Sequence, residues 1–395
     1  MKRRVLVTDG EERAALAVVR SLGCAGHAVR VASPRARPLA GASRWCAGSD
    51  VVPDPLREPA AFAAAVRDLC ARHDVEALLP VTEASLLALL PESERPPGVV
   101  IPFPPLSVFR AVSDKRRVLE AAAGAGIAVP RQHVLARPED RAALSPGALS
   151  FPVVLKPSRS VAEEGTARAK RSVAHAADWL QLHARLASLP ASAYPVLLQE
   201  RIVGPGVGIF LLLWDGRVRA AFAHRRLREK PPAGGVSVLR ESVAPDPALV
   251  RRSADLLARF GWQGVAMVEL KVERRTGTPY LMEVNGRFWG SLQLAVDAGV
   301  DFPALLLDAA FGAPAAPPPA WTPGVRSRWE WGEVDHLLAR LRRSKAALDL
   351  PPDAPGRGRA VLDFVFPGRG ARGEVFRWGD PAPALRETLD WVRRR

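Results

Sequence analysis

"GVAMVELKVERRTGTPYLMEVNGRFWGS", residues 264–291, is the stretch from which the fold of this chain is read. Two runs rich in β-branched and apolar residues flank Arg275-Thr276-Gly277, a spacing that predicts two antiparallel strands turning near 275–277. Residues two apart on a strand share a face, so Glu283 and Asn285 stand side by side, with Arg287 next in line. Pairing of the two strands sets Glu269 opposite Glu283. Two carboxylates and an amide converging on one point suit magnesium, which takes few protein carboxylates and completes its shell from water and substrate phosphates. The same pattern also fits a solvent-facing polar set across two strands, and Glu-x-Asn alone is a weak motif.

The cations upstream bear on that choice. Of 56 basic residues only seven are lysine, at positions 2, 115, 156, 170, 230, 271 and 345. Compositional drift toward arginine would allow arginine wherever exposure alone matters, so each lysine is of interest. Lys156 ends the apolar strand "FPVVLKP" and points into whatever cleft lies there. A lysine is a mobile point charge suited to phosphate. Lys115 falls in the first turn of a helix started by Ser113-Asp114, where the macrodipole disfavours a cation and an anion to meet would explain it. An ordinary surface lysine fits either position as well. Gln199 and Glu200 end the strand "VLLQE" before the linker "RIVGPGVG", which is either a hinge whose backbone reads a flat base or a loose hairpin.

The first hundred or so residues alternate strand and helix, from "RVLVT" at 4–8 to "GVVIPFP" at 98–104, and predict a parallel α/β domain. The loop after the first strand is Thr8-Asp9-Gly10-Glu11-Glu12, whose acid pair repels pyrophosphate, so dinucleotide binding is rejected. Gly10 there marks a tight turn, or amides offered to a small anion.

Lysine 115, strand-end lysine 156, the Gln-Glu hinge at 199–200, Glu269 and Glu-x-Asn-x-Arg at 283–287 follow one another in an order that resembles the ATP-grasp superfamily. "HRRLREKPPAGGVSV" and "LMEVNGRFWGSLQLAVDAGVDFP" are similar to its carbamoyl-phosphate synthase and biotin carboxylase branch. The resemblance spans roughly residues 1–312. It implies an α/β and α+β fold: a Rossmann-like domain over 1–112, a two-subdomain ATP-grasp domain over 113–312 and a C-terminal extension over 313–395. It also implies ATP with Mg2+ or Mn2+, and phosphorylation of a carboxylate followed by attack of an amine, with small-molecule substrates. By the resemblance, Lys115 and Lys156 meet the phosphates. Gln199, Glu200 and the backbone of Arg201 and Val203 read adenine, while Glu269, Glu283 and Asn285 hold the metal. Arg287 steadies the transferred phosphoryl group and Lys230 serves the catalysis.

Three departures accompany it. The loop after Lys156 holds only Gly165, and Val207 stands where an acid usually holds the ribose. The stretch 223–242 predicts a flexible basic loop with His224, Arg226 and Lys230 facing acceptor or phosphates. A nucleotide-binding protein without turnover is therefore a competing expectation.

The net charge of +15 raises nucleic acid, or an anionic membrane, as partners of the basic tail. The basic residues are scattered rather than gathered in a stripe, so no dedicated nucleic-acid surface is expected. No run of ~20 apolar residues predicts a membrane span. Cys24, Cys46 and Cys70 lack metal spacing and fit reduced thiols in a cytoplasmic protein. A homodimer is compatible with the sequence. Residues 172–189 predict a helix and 358–378 a hairpin. In 329–350, Leu337, Leu338 and Leu341 predict the apolar side of a helix ringed by arginines, packed on the main body or lying in an interface.

Overall fold

The computed structural model describes residues 1–394 other than 146, 148, 315, 316, 318, 351–353 and 369. Its N-terminal part runs β1 (Arg4–Val7), α1 (Arg13–Cys24), β2 (Ala28–Ser33), β3 (Cys46–Val51), α2 (Pro59–Arg72), β4 (Ala77–Leu79) and α3 (Glu83–Leu89). The strands lie parallel in the order β3-β2-β1-β4. Val5, Leu6 and Val7 are all buried, as expected of a parallel strand covered on both faces. The 98–104 stretch contributes a single bridge, Val100 to Ala77, rather than a full strand.

The β1–α1 loop is a structural turn. Asp9 adopts φ 60°, and its carboxylate accepts hydrogen bonds from the Val81 and Thr82 amides and the Thr8, Thr82 and Ser85 hydroxyls. The Gly10 amide is spent on the Ala32 carbonyl. The acid that argued against pyrophosphate thus staples the ends of β1 and β4 together.

Helices α4 (Leu106–Ser113) and α5 (Lys115–Gly124) lead onward, α5 capped by Asp114, whose carboxylate accepts from the Arg116 and Arg117 amides. A small antiparallel sheet follows from β5 (Gln132–Leu135), β6 (Val153–Pro157), β9 (Ala174–Ala176) and β10 (Val196–Glu200), in the order β5-β10-β6-β9. Between β6 and β9 stands a separate hairpin, β7 (Val161–Glu164) with β8 (Ala167–Lys170). Helix α6 (Trp179–Ser188) covers the small sheet, and Leu135, Leu155, Leu182, Leu186 and Leu198 form its own core. The expected helix over 172–189 is therefore shorter. Ala174–Ala176 pairs with β6 instead, and Asp178 starts the helix by capping the Gln181 amide.

The large sheet comprises β11 (Gly206–Trp214), β12 (Arg217–Lys230), β13 (Val236–Ser242), β14 (Gly264–Val272), β15 (Pro279–Asn285), β16 (Arg326–Arg328) and β17 (Ala371–Gly373). Their order is β15-β14-β11-β12-β13-β16-β17. Helices α7 (Pro247–Ala258), α8 (Leu292–Asp297) and α9 (Phe302–Ala310) join its core to that of the N-terminal sheet. Asp215 and Gly216, both at positive φ, turn β11 into β12 as their sequence predicts.

Two expectations about the basic segments are corrected. Residues 223–242 form the β12–β13 hairpin, not a flexible loop. Their arginines find carboxylates on neighbouring strands, as Arg225 does with Glu241 at 2.7 Å. Residues 358–378 hold α11 (Arg357–Val365) and the short β17 rather than a hairpin. The 313–395 extension is continuous with the large sheet, because β16 pairs with β13 and β17 with β16. In α10 (Glu330–Arg342) the buried residues are Gly332, Glu333 and Arg340, while Leu341 is exposed, so ion pairs rather than leucines seat this helix. Helix α12 (Ala382–Arg393) ends the chain. Among the described residues no helix is long and apolar enough to cross a membrane.

Candidate active site

The register of β14 and β15 places Glu269 opposite Glu283 and Met267 opposite Asn285. One feature of the pairing was not visible in the sequence. The register slips by one between Glu269 and Leu270, leaving Met282 as the extra residue of a β-bulge. Leu281 faces the core, Met282 and Glu283 both face the cleft, Val284 returns to the core, and Asn285 faces the cleft again. The bulge lets one strand keep Leu281 buried while presenting Glu283, Asn285 and the sulfur of Met282 together.

These residues form one wall of a cavity of about 620 Å³ between the two sheets. The structure brings nine of the expected site residues to it: Lys156, Gln199, Glu200, Arg201, Lys230, Glu269, Glu283, Asn285 and Arg287. Lys115 lies just behind, in a small recess shared with Glu283, Asn285 and Arg287. Val203 is elsewhere. Its side chain is exposed and lines the cavity on the other side of the hinge, and its carbonyl accepts from the Arg274 amide.

The hinge is fastened to β14 by its own backbone. The Val272 amide donates to the Pro205 carbonyl, and a Cβ on Gly204 would meet the Val272 carbonyl oxygen at 1.8 Å. Only glycine allows that approach. Gly206 similarly leaves room for the Arg226 stem, which would lie 2.8 Å from a Cβ there.

Charges are matched unevenly in the cleft. Glu269 holds Arg226 at 2.6 Å, and Arg226 also holds Glu229 at 3.0 Å. The Lys115 ammonium lies 3.3 Å from Glu283 and donates to the Ser160 hydroxyl at 2.7 Å, so the anion this helix-start lysine meets is Glu283. Asn285 donates to Glu283 at 3.1 Å, and Arg287 donates to the Asn285 oxygen at 3.1 Å. Burial opposes charge on Glu283, but Lys115, the Asn285 amide and Lys156 outweigh it and hold the carboxyl well below its ordinary value. Among the described residues Lys156 has no carboxylate at contact distance, and the Met282 sulfur lies at 3.8 Å. Desolvation in the cleft lowers its ammonium to about 8, against the pull of Glu283 and Glu269. Lys230 is ion-paired to Asp335.

At the hinge end, Gln199 donates to Gln132 at 2.8 Å while its buried carbonyl oxygen has no partner. Glu200 accepts from the Arg131 amide at 3.1 Å. At the opposite end stand Trp289, Ser291 and His224. His224 is buried, and desolvation drives its imidazole well below the ordinary value, so it is neutral. Arg13 reaches this end from α1, and nothing in its local sequence signals it. Lys271 was also missed, although its position two residues past Glu269 on the same face was a usable signal.

The donor set tests well for a hard divalent cation: two carboxylates and an amide oxygen on one wall, faced by cations fit for phosphate. Glu269, Glu283 and Asn285 could hold Mg2+ or Mn2+.

A small antiparallel sheet and a large, mainly antiparallel one enclosing such a cleft, behind a parallel α/β domain, define the ATP-grasp fold. Residues 192–332 match the family model described as ATP-grasp in the biosynthetic pathway with Ter operon. No curated protein matches the sequence. The L-amino acid ligase from Bacillus licheniformis superposes with TM-score 0.60 at 20% identity, over 78% of this chain and 75% of that one. Biotin carboxylase from Campylobacter jejuni, solved as a β-γ-ATP complex, gives 0.64 at 15% identity, over 82% and 74%. The biotin carboxylase domain of Hydrogenobacter thermophilus 2-oxoglutarate carboxylase, solved with MgADP and bicarbonate, gives 0.59 at 18%, over 79% and 70%. At these identities the likeness is one of fold.

Proposed function

We propose that the protein is an ATP-dependent carboxylate–amine ligase. The observation that carries this is the Glu269–Glu283–Asn285 wall facing a lysine, Lys156, that among the described residues has no carboxylate in contact. A desolvated ammonium without a counter-ion is costly and awaits an anion. The nucleotide's phosphates supply one. Its base lies toward the hinge, where the unpartnered Gln199 oxygen accepts an amino group and Glu200 and Arg201 close the end.

In this account the substrate carboxylate oxygen attacks the γ-phosphorus. An acylphosphate forms, the bond to the β-phosphate oxygen breaks, and ADP leaves. The amine then attacks the acyl carbon and expels phosphate. Catalysis of this kind is mainly positioning and charge neutralisation. Lys156 holds the phosphates, Lys115 behind the wall holds Glu283 in place, Arg287 steadies the transferred group, and Lys230 lies at the rim. Glu269, Glu283 and Asn285 hold the divalent cation, which when bound supplies Lewis-acid neutralisation of the phosphate oxygens. Trp289, Ser291 and His224 wall the end left for carboxylate and amine.

Incubation with MgATP and a panel of carboxylates and amines should release ADP and phosphate, and Glu283→Ala should abolish the release. Formation of AMP and pyrophosphate would refute the mechanism. A second reading, nucleotide binding without turnover, has one observation in its favour: the β7–β8 hairpin that follows Lys156 carries two carboxylates, Glu163 and Glu164, tied to Arg110 and Arg171, and a single glycine, Gly165. MgATP binding with no ADP release across the panel would favour it.

A further inference from the structure

Behind the hinge lies a second cavity, of about 520 Å³, a size typical of small-ligand sites. Its walls are the hinge residues 201–206, the end of β12, and helices α10 and α11 of the C-terminal extension. It joins the cleft through Arg201, Ile202, Arg226, Glu229, Ala233 and Lys271, which line both.

The cavity carries six cationic side chains against three carboxylates. The carboxylates are all engaged: Asp349 with Arg201 at 2.9 Å, Glu229 with Arg226 at 3.0 Å, and Asp363 with Arg359 at 2.8 Å. Arg228 takes its partner, Glu333, from outside the cavity at 2.7 Å, and Arg340 donates to the Pro355 carbonyl. His336, whose imidazole is lowered by desolvation, adds no charge.

Arg274 has a partner as well, so Lys271 remains. It is half-buried, and among the described residues no carboxylate lies within ion-pair distance of it. The alternation of β14 fixes its direction, since Met267, Glu269 and Lys271 all face the cleft side. Two further cations of the cleft, Lys156 and Arg201, stand near it. An ammonium without a carboxylate partner in a cavity is a point charge suited to a phosphate.

We infer that this cavity binds a small phosphate-bearing anion, with Lys271 at its junction with the cleft and Arg274 on its rim. The site is separate from the one proposed for ATP, because its remaining walls come from the C-terminal helices.

Calorimetry on the full chain with 2-phosphoglycolate, at low salt and with MgADP saturating, tests this. Wild type should bind, and added salt should weaken binding. Lys271→Gln and Arg274→Gln should each weaken it at least tenfold. Arg274 is exposed, so its replacement preserves folding even if that of Lys271 does not. Absence of binding, equal binding by both variants, or displacement by MgADP would overturn the inference.

Discussion

Two charged regions of this molecule are built alike and balanced differently. One is the seam between the N-terminal domain and the C-terminal extension. There Arg240 is wholly buried and paired with Glu374, which also takes Arg13, while Arg20 holds Asp380 at 2.8 Å. Asp380 accepts further bonds from the Ser43 hydroxyl and the Arg44 amide. The other region is the cleft, where Glu269 and Glu283 have cationic partners but, among the described residues, Lys156 and Lys271 have no carboxylate at contact distance. Matched charge in a dry seam is structure; unmatched cations in a cavity are places for a ligand.

The largest effect should come from breaking the seam. Glu374→Ala leaves Arg240 buried and uncompensated, which typically costs about 3–5 kcal/mol. Denaturant unfolding would show it, and an unchanged midpoint would remove the contrast.

Neutralising a cleft cation should do the opposite. Lys156→Met should weaken MgATP binding about 10–100-fold, the worth of a charge-assisted contact, without lowering the melting temperature of the ligand-free protein. The pH dependence sharpens this. Because Lys156 titrates near 8 when folded and near ~10.4 when unfolded, the unfolded chain holds more protons between those values. This group therefore makes ligand-free stability rise with pH across that window, while MgATP affinity falls as the ammonium is lost. Both slopes should vanish in Lys156→Met.

A smaller effect separates the seam from its surroundings. Glu387 accepts from the Trp329 indole at 2.8 Å, yet burial pushes its carboxyl up to about 7. The folded state then holds the extra proton between the ordinary value and 7, so this group's contribution to stability is lost as pH rises through 7. Glu387→Gln should raise the melting temperature at pH 8 and leave it unchanged at pH 4.

The contrast also explains what the sequence made legible. The antiparallel pairing of β14 and β15 was readable from the turn at 275–277, whose register, Leu270 opposite Leu281, continued without a break would set Glu269 opposite Met282 rather than Glu283. The bulge at Met282 was not, since no residue type announces it. The stretch 223–242 reads as a loop because its arginines break the apolar alternation of a strand. Their partners, Glu241, Glu269 and Glu333, lie on other elements and are invisible locally. "GRAVLDFVF" was ambiguous for its length, as short apolar runs are. Its helix is decided by tertiary contacts, with Arg328 4.3 Å over the Phe364 ring and Arg228 donating to the Asp363 carbonyl. The metal-like wall and its lysines, Lys115 and Lys156, were legible by type and order; Arg13 and Lys271 needed the fold.

The central claim is that ATP activates a carboxylate in this cleft, and oxygen transfer tests it most directly. With 18O-labelled carboxylate, an amine and MgATP, 31P NMR should find one 18O in the released phosphate, with ADP as co-product and neither formed by Glu283→Ala. Phosphate released without the label, or AMP in place of ADP, would contradict the account.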